Sequence, residues 1–470
     1  MRILTVVLTV LIIVILSGGT HAAENEIRVD ASARHQTIEG FGTCLVSWVD
    51  RFQKLYRTKE FQRMYVEEYG FNFLRCNIWG PVSTEPVEDW RDIRWQDFDM
   101  SIERSKIFTD FGRGIRRVNP DVKIIGTVWT PPPWMKMNKS WNDKGSGGIR
   151  AHTYRDVNNR VEPRYYMHFA KWLVEMAKMY EAQGAPLYAV SPGNEVQFTQ
   201  SFGSCVWSGE DYAEMIELLG EMLEREGMGH IKIYGPETMT SHFYTGGTPA
   251  YVEAIMGHEG ARKHLDVFAT HGYEDGFKGE MKASSSRRFW NLVDEYGLPY
   301  WMTEGGTGGH EWPEPLHQGV AAAIHNSLVA GNASAFVPWQ VIGGARNHHC
   351  LSVLEDGKPV FTSKTYAAMH YSRFIRPGAV RIDTEPAYGD VMASAYLHAE
   401  SGEVTVVLIN PKETEQDVKL TFADGPKAGS LQGYRTSADE RLAELGSAPV
   451  TDGRTMLTMP PESMVTLQAR

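Results

Sequence analysis

Glu195 closes the string Gly193-Asn194-Glu195, and Glu304 closes Trp301-Met302-Thr303-Glu304. Each stands at the end of a short β-type run. Other run ends carry Arg75, Glu237, His271, Tyr273 and Trp339, and one is followed by Trp129-Thr130-Pro131-Pro132-Pro133-Trp134-Met135-Lys136. Two carboxyls can share acid–base work, one as proton donor and the other as nucleophile or base. A cation nearby keeps one of them ionised, and Arg75 is the candidate. Indoles offer flat faces for sugar rings. Together these groups suit cleavage of a glycosidic bond, in which one carboxyl protonates the leaving oxygen and the other attacks the anomeric carbon or activates water. That chemistry needs no metal and no cofactor.

Such groups need a frame that brings distant strand ends together. Eight runs rich in β-formers recur over 38–44, 71–79, 123–129, 187–195, 231–237, 266–273, 299–304 and 333–340, with longer stretches between them. One stretch, 165–183, carries Phe169, Leu173, Met176, Ala177 and Tyr180 at helical spacing and stops at Gly184. Another, 208–226, opens on Ser208-Gly209-Glu210-Asp211, a capping signal, and stops at Gly227. Strand and helix alternating eight times predict a (β/α)8 TIM barrel over 27–376, whose reactive groups gather at the C-terminal strand ends. Beyond 376 the texture changes to short strands over 391–396, 404–409, 418–422 and 464–467, with a helix admissible only near 437–445. This predicts a C-terminal antiparallel β-sandwich over 377–470. The strand at 27–30 is expected to join the sandwich or the barrel floor.

Composition narrows the function. The chain has 470 residues, of which 42% are hydrophobic and 22% charged, enough for a large core. A net charge of −11 leaves no basic footprint for nucleic acid. Aromatics at 11%, with 13 Trp and 20 Tyr, favour a sugar partner, an oligo- or polysaccharide. Met1-Arg2, an apolar run over 3–16 and small residues up to Ala22-Ala23 form a signal peptide over 1–23. The run is too short for a membrane span, so no stable membrane insertion is expected. Export predicts a secreted or periplasmic protein. Cys44, Cys76, Cys205 and Cys350 allow three disulfide pairings or four buried free thiols; no pair has C-x-x-C spacing. Oligomeric state leaves no signal.

With these strings in hand, the chain resembles the clan A retaining glycoside hydrolases through Asn194-Glu195 and Glu304. It resembles glycoside hydrolase family 30 through Gly40-Phe41-Gly42, the Trp129 to Lys136 string, and Ser372-Arg373-Phe374-Ile375-Arg376-Pro377-Gly378. The resemblance spans residues 27 to 470. It implies double displacement with retention, Glu195 as acid/base and Glu304 as nucleophile. The substrate-binding set is then Asn194, Arg75, Trp129, Trp134, His271, Tyr273 and Trp339, with Asn194 placed to bind the sugar 2-hydroxyl, His271 or Tyr273 to orient Glu304, and the three Trp to stack sugars. The start at Gly40-Phe41-Gly42-Thr43-Cys44 resembles the endo-β-1,6-galactanase-like branch. In the family, proline usually follows the acid/base; here Val196 does, which puts the loop geometry in question.

Rival readings are weaker. Glu237 competes for a catalytic role but is better read as a hydrogen-bonding neighbour. Glu311 and Glu314 fall in a Pro-rich loop and read as solvent-facing. His348-His349 tempts a metal reading, yet lacks partners at ligand spacing and reads as surface. A catalytically silent carbohydrate-binding protein on the same scaffold is the alternative function. A metal-dependent barrel hydrolase is a third, without an H-x-H or H-E-x-x-H string to support it.

Overall fold

The strand β1 (Asn25–Thr37) precedes the barrel and belongs to another sheet. The barrel strands are β2 (Gly40–Cys44), β3 (Phe73–Trp79), β4 (Lys123–Thr130), β5 (Leu187–Ser191), β6 (Lys232–Thr238), β7 (Leu265–His271), β8 (Tyr300–Glu304) and β9 (Ala335–Phe336). Each pairs in parallel with the next, and β9 closes on β2. The computed structural model describes residues 25–80, 85–99, 103–143, 158–240, 247–273, 281–306, 308–344, 349–423 and 429–469. The predicted leader over 1–23 lies outside the described residues.

The barrel is filled rather than hollow. Phe73, Ile125, Ala189, Tyr234, Val267, Ala269, Trp301 and Ala335 point inward as one cluster, which is how parallel barrels bury both faces of their strands. Trp301 is fully buried, meets Phe73 edge-on at 5.4 Å, and donates its indole N–H to Glu39 at 2.8 Å. Lys123 closes the floor with a 3.0 Å ion pair to the same carboxylate. A second, larger cluster lies between barrel and helices, among them Tyr166–Ala182 and Gly209–Arg225. The latter starts on Ser208, whose hydroxyl accepts from the Asp211 N–H at 3.0 Å, as the sequence signal predicts.

Two strands are shorter than the sequence suggests. The run over 187–195 ends as a strand at Ser191, because Pro192 has no N–H for the ladder and Glu195 turns to a φ of 47°. The last run, 333–340, keeps only Ala335–Phe336, with Pro338 interrupting the pairing. A small sheet of β10 (Ile342–Gly343), β11 (Ser352–Glu355) and β12 (Lys358–Phe361) follows, which the sequence reading did not place. Its hairpin turns on Asp356-Gly357, both at positive φ, the two-residue signal for a primed turn.

The C-terminal unit holds β13 (Ala379–Glu385), β14 (Met392–His398), β15 (Val404–Asn410), β16 (Gln416–Ala423), β17 (Ser430–Thr436), β18 (Ala443–Pro449), β19 (Arg454–Met459) and β20 (Ser463–Ala469). They pair in the order β18-β17-β20-β15-β14-β13-β1-β16-β19. The sheet folds around Val29, Ile382, Val406, Leu408, Val418, Leu420 and Leu467 to make the sandwich. Strand β1 enters it, antiparallel to β13 and parallel to β16. No helix forms near 437–445. There Glu440 is held by Arg435 and Ser437, and β18 pairs with β17 instead, so long-range pairing overrides local propensity. At the seam between the units, buried His370 spans Thr466 at 2.8 Å and Thr436 at 2.9 Å. Among the described residues, no helix is long and apolar enough to cross a membrane. All four cysteines are buried free thiols.

Candidate active site

Arg75, from the middle of β3, is wholly buried and acts as the hub at the C-terminal end of the barrel. Its Nη1 meets Glu304 Oε2 at 2.5 Å, its Nη2 donates to Asn194 Oδ1 at 2.7 Å, and its Nε donates to Glu237 Oε1 at 3.1 Å. The Trp129 ring lies 4.7 Å from the guanidinium carbon and covers it from the cavity side. Burial alone would push the Glu237 carboxyl up, but Arg75 and then His271 outweigh it and hold it at about 2. Glu237 is therefore a fixed negative charge with no solvent exposure.

Glu195 and Glu237 share an unusual backbone. Both have positive φ, 47° and 52°, and the Glu195 N–H donates to the Glu237 carbonyl at 3.0 Å. Non-glycine residues in this region carry strain, which clusters at functional sites. The turn aims the Glu195 side chain back over the barrel. Its Oε2 accepts a short hydrogen bond from the Gln200 amide, and its Oε1 lies 3.2 Å from His271 Nδ1. Val196, where proline was expected, is fully buried and packs where a Cβ on Gly193 would sit, while its carbonyl accepts from Trp207 N–H at 2.9 Å. The valine thus anchors the loop through its side chain.

Glu304 ends β8. Its Oε1 accepts from the Tyr273 hydroxyl at 2.9 Å. Burial pushes the Glu304 carboxyl up; His271 and Arg75 pull against burial, the charge of Glu195 adds to it, and the Tyr273 hydrogen bond opposes it. Burial also works against charging His271, but Glu304, Glu195 and Glu237 outweigh both burial and Arg75 and lift the imidazole to about 9. One oxygen of Glu195, one of Glu304 and one His271 nitrogen all lie within 4.8 Å of each other. Three such donors could also hold a cation. Arg75 on Glu304 and the charged imidazole already place two positive charges there, which opposes a third.

Above these groups opens a cavity of about 470 Å³ lined by Asn194, Glu195, Gln200, Tyr273, Glu304, His349 and a set of aromatics. Trp48 stacks on Trp339 at 5.9 Å, Trp339 meets Trp129 at 6.0 Å, and Trp129 meets Trp79 at 6.3 Å. Four indoles therefore form a continuous wall. Its size is typical of a small-molecule site.

The structure brings together Glu195, Glu304, Asn194, Tyr273, Trp129 and Trp339 around this cavity, and corrects three assignments to substrate contact. Trp134 does not reach it: the ring is buried edge-on against Tyr165 at 5.3 Å and His168 at 5.8 Å, where it packs core. Arg75 and His271 have no exposure and lie beneath the carboxyls, so they act on Glu304, Glu237 and Glu195. Tyr273, not His271, makes the hydrogen bond to Glu304. His349 lines the cavity, contrary to its reading as a surface residue; His348 lies outside the described residues. Gln200, Trp48, Trp141, Phe198, Phe202 and Met239 escaped the sequence reading. Gln200 lies five residues past Glu195 and Trp48 four past the end of β2, so loops leaving the two best strand ends were the signal.

Two domain profiles match this chain: the glycosyl hydrolase family 30 TIM-barrel domain over residues 82–293 and the glycosyl hydrolase family 30 beta sandwich domain over 378–467. Together they cover well over half of the sequence. The chain belongs to glycoside hydrolase family 30. Its members are O-glycosyl hydrolases, and this chain is one. It is 24% identical to the glucuronoxylanase XynC of Bacillus subtilis over 99% of this chain and 96% of that protein. It is 25% identical to an endo-1,6-β-D-glucanase of Neurospora crassa over 86% and 85% of the two chains. Among solved structures, the catalytic domain of the family 30 xylanase C from Talaromyces cellulolyticus superposes with a TM-score of 0.74 at 21% identity, covering 95% of this chain and all of that one. The family 30 subfamily 8 xylanase Xyn30A of Clostridium acetobutylicum gives 0.72 at 21% identity, over 95% and 99%. These likenesses establish the fold.

Proposed function

We propose that this protein is a retaining β-glycoside hydrolase that cleaves β-linked glycans by double displacement, with Glu304 as nucleophile and Glu195 as acid/base. The observation that carries the reading is the spacing of the carboxyls. One oxygen of each lies within 4.8 Å of the other, which supports the close pairing of retaining enzymes, about 5–5.5 Å between carboxyls, over the roughly 6.5–9.5 Å that leaves room for an inverting water. Roles follow from neighbours. Arg75 and Tyr273 both bind Glu304, which suits the carboxylate that must attack the anomeric carbon. Glu195 stands in the turn after β5 with Gln200 at its side, placed to give a proton to the leaving oxygen and later take one from water. Asn194, fixed by Arg75 through Oδ1, lines the cavity and keeps its amide N–H groups to donate to the sugar. The wall of indoles supplies apolar faces for sugar rings. The relatives' names point to a polysaccharide substrate, and the N-terminal leader supports export to the periplasm or medium.

Glu304→Gln is expected to lower turnover of a β-glycan panel by at least about 10⁴-fold, a loss typical of an essential covalent group. Azide should restore cleavage to Glu304→Gly by taking the vacant nucleophile's place, giving a glycosyl azide of inverted configuration. A fully active Glu304→Gln protein would end the assignment. A silent glycan-binding protein would hold the same glycans and release nothing; a metal-dependent hydrolase would lose activity to chelator.

A further inference from the structure

The described surface leaves six large apolar side chains exposed: Trp48, Met137, Trp141, Phe202, Leu445 and Met456. Three of them, Trp48, Trp141 and Phe202, line this one cavity. They fall into two lips. Trp48 follows β2 and stacks on Trp339, which follows β9; β9 neighbours β8, the strand that carries Glu304. Trp141 and Phe202 follow β4 and β5, and β5 leads into Glu195. One lip therefore adjoins the nucleophile and the other the proton donor, nearly across the barrel mouth. Trp129 and Trp79 continue the aromatic wall between them.

We propose that a β-linked glycan chain lies across both lips, so that the enzyme cuts within chains rather than from an end. This rests on the hydrolase reading above and adds to it. The acid must lie against the leaving oxygen, so the leaving units pass over Trp141 and Phe202. The glycone units then extend over Trp339 and on to Trp48. A site that takes only a chain end is closed beyond the sugar on the nucleophile, whereas Trp48 keeps 43% of its surface open there. The leaving-side lip is rigid before substrate arrives. Its two loops are joined by Ser204 N–H to the Trp141 carbonyl at 3.2 Å, Asp143 N–H to the Gln200 carbonyl at 3.1 Å, and Lys136 Nζ to the Ser204 carbonyl at 2.7 Å. Little ordering cost remains for binding a second run of sugars.

The test is digestion of borohydride-reduced linear β-1,4-xylan, β-1,6-glucan and β-1,6-galactan, alongside aryl β-glycosides, by the whole protein. For the polymer that is cut, oligosaccharides of mixed length should appear from the first time point, and viscosity should fall faster than reducing ends rise. In Trp48→Ala, KM for that polymer should rise about ten-fold while kcat stays within about two-fold, since a stacking platform acts in binding. A single short product released from chain ends, cleavage confined to aryl glycosides, or an unmoved KM in Trp48→Ala would overturn the proposal. No cleavage of any of these compounds would overturn the hydrolase reading itself, and this inference with it.

Discussion

Replacing Tyr273 by Phe removes a single atom from the site and has a calculable consequence. The hydroxyl donates to Glu304 Oε1 at 2.9 Å. Hydrogen bonds to charged groups contribute about 1.5–3 kcal/mol. At 1.36 kcal/mol per pH unit, loss of this one raises the pH needed to ionise Glu304 by about 1–2 units. The sign is fixed: burial and Glu195 push the carboxyl up, Tyr273 opposes them, and its removal lets the carboxyl climb further. The proposed nucleophile must be ionised, so the acid limb of kcat/KM against pH should move to higher pH by that amount. Arg75 stays on Glu304 Oε2, so activity on the plateau persists. The phenyl ring keeps its edge-on contact with His271, and the melting midpoint should stay within about 4 °C of the parent. The assay is kcat/KM from pH 3 to 9 on a soluble β-glycan. An acid limb that stays in place while activity falls would show that Tyr273 acts on substrate and not on Glu304; a limb that moves down would refute the electrostatics.

Other consequences are equally direct. Glu237→Gln strips Arg75 of its wholly buried partner and should cost about 3–5 kcal/mol in denaturant unfolding, as well as activity, because one partner of a buried pair is left behind. Burial holds His325 at about 4 and His370 at about 3, both below their unfolded value of 6.5, so the unfolded chain binds two more protons below that pH. Stability should therefore fall by roughly 2 kcal/mol per pH unit as pH drops from 6 to 5 on their account. His271, raised to about 9, works oppositely: its contribution is complete below 6.5 and fades as pH climbs through 9. His370→Gln should remove about half of the acid-side slope in melts across pH 5–7. Trp134→Phe should cost about 1–3 kcal/mol in stability and leave KM for glycans unmoved, since the ring packs core.

The barrel was legible because parallel strands are buried on both faces and read as apolar runs, as 123–129 does. Strand ends were less so. Where Glu195 leaves β5, the backbone turns to a positive φ that no residue type announces, and the predicted strand overran by four residues. The carboxyl pair was legible by type and position. Its supporting charges were only half legible: Arg75 was found, but its bond to Glu237 depends on two strands meeting across the barrel interior, which no local pattern encodes. Trp134 was misread for the opposite reason. Its string is rich in proline and aromatics, yet the turn at Pro133–Met135 swings the ring back under the helix Tyr166–Ala182. The missed aromatics, Trp48, Trp141 and Phe202, sit in loops, where composition is the only cue.

Glu237 explains why three buried carboxyls stand so close when the proposed reaction uses two. Arg75 and His271 supply two positive charges in a space sealed from water. With Glu237 and Glu304 ionised and the proton on Glu195, the five groups sum to zero. In the proposed double displacement, the first step turns Glu304 into an uncharged ester, while Glu195 gives up its proton and takes on a charge. The sum is again zero. Glu237 is the charge that makes both sums balance, since without it the cluster would hold a net positive charge in each half-reaction at a low-dielectric site, where such imbalance is costly. His271 then has a role in each half. Its Nε2 lies 3.3 Å from Arg75 Nη2, 3.6 Å from Glu237 and 3.9 Å from Glu304, and its Nδ1 lies 3.2 Å from Glu195, so one fixed imidazole stands beside both carboxyls that the proposed reaction uses. In that proposed scheme negative charge passes from Glu304 to Glu195 across one sugar while the field around it stays nearly constant. Preorganisation of that kind lowers a barrier without side-chain motion.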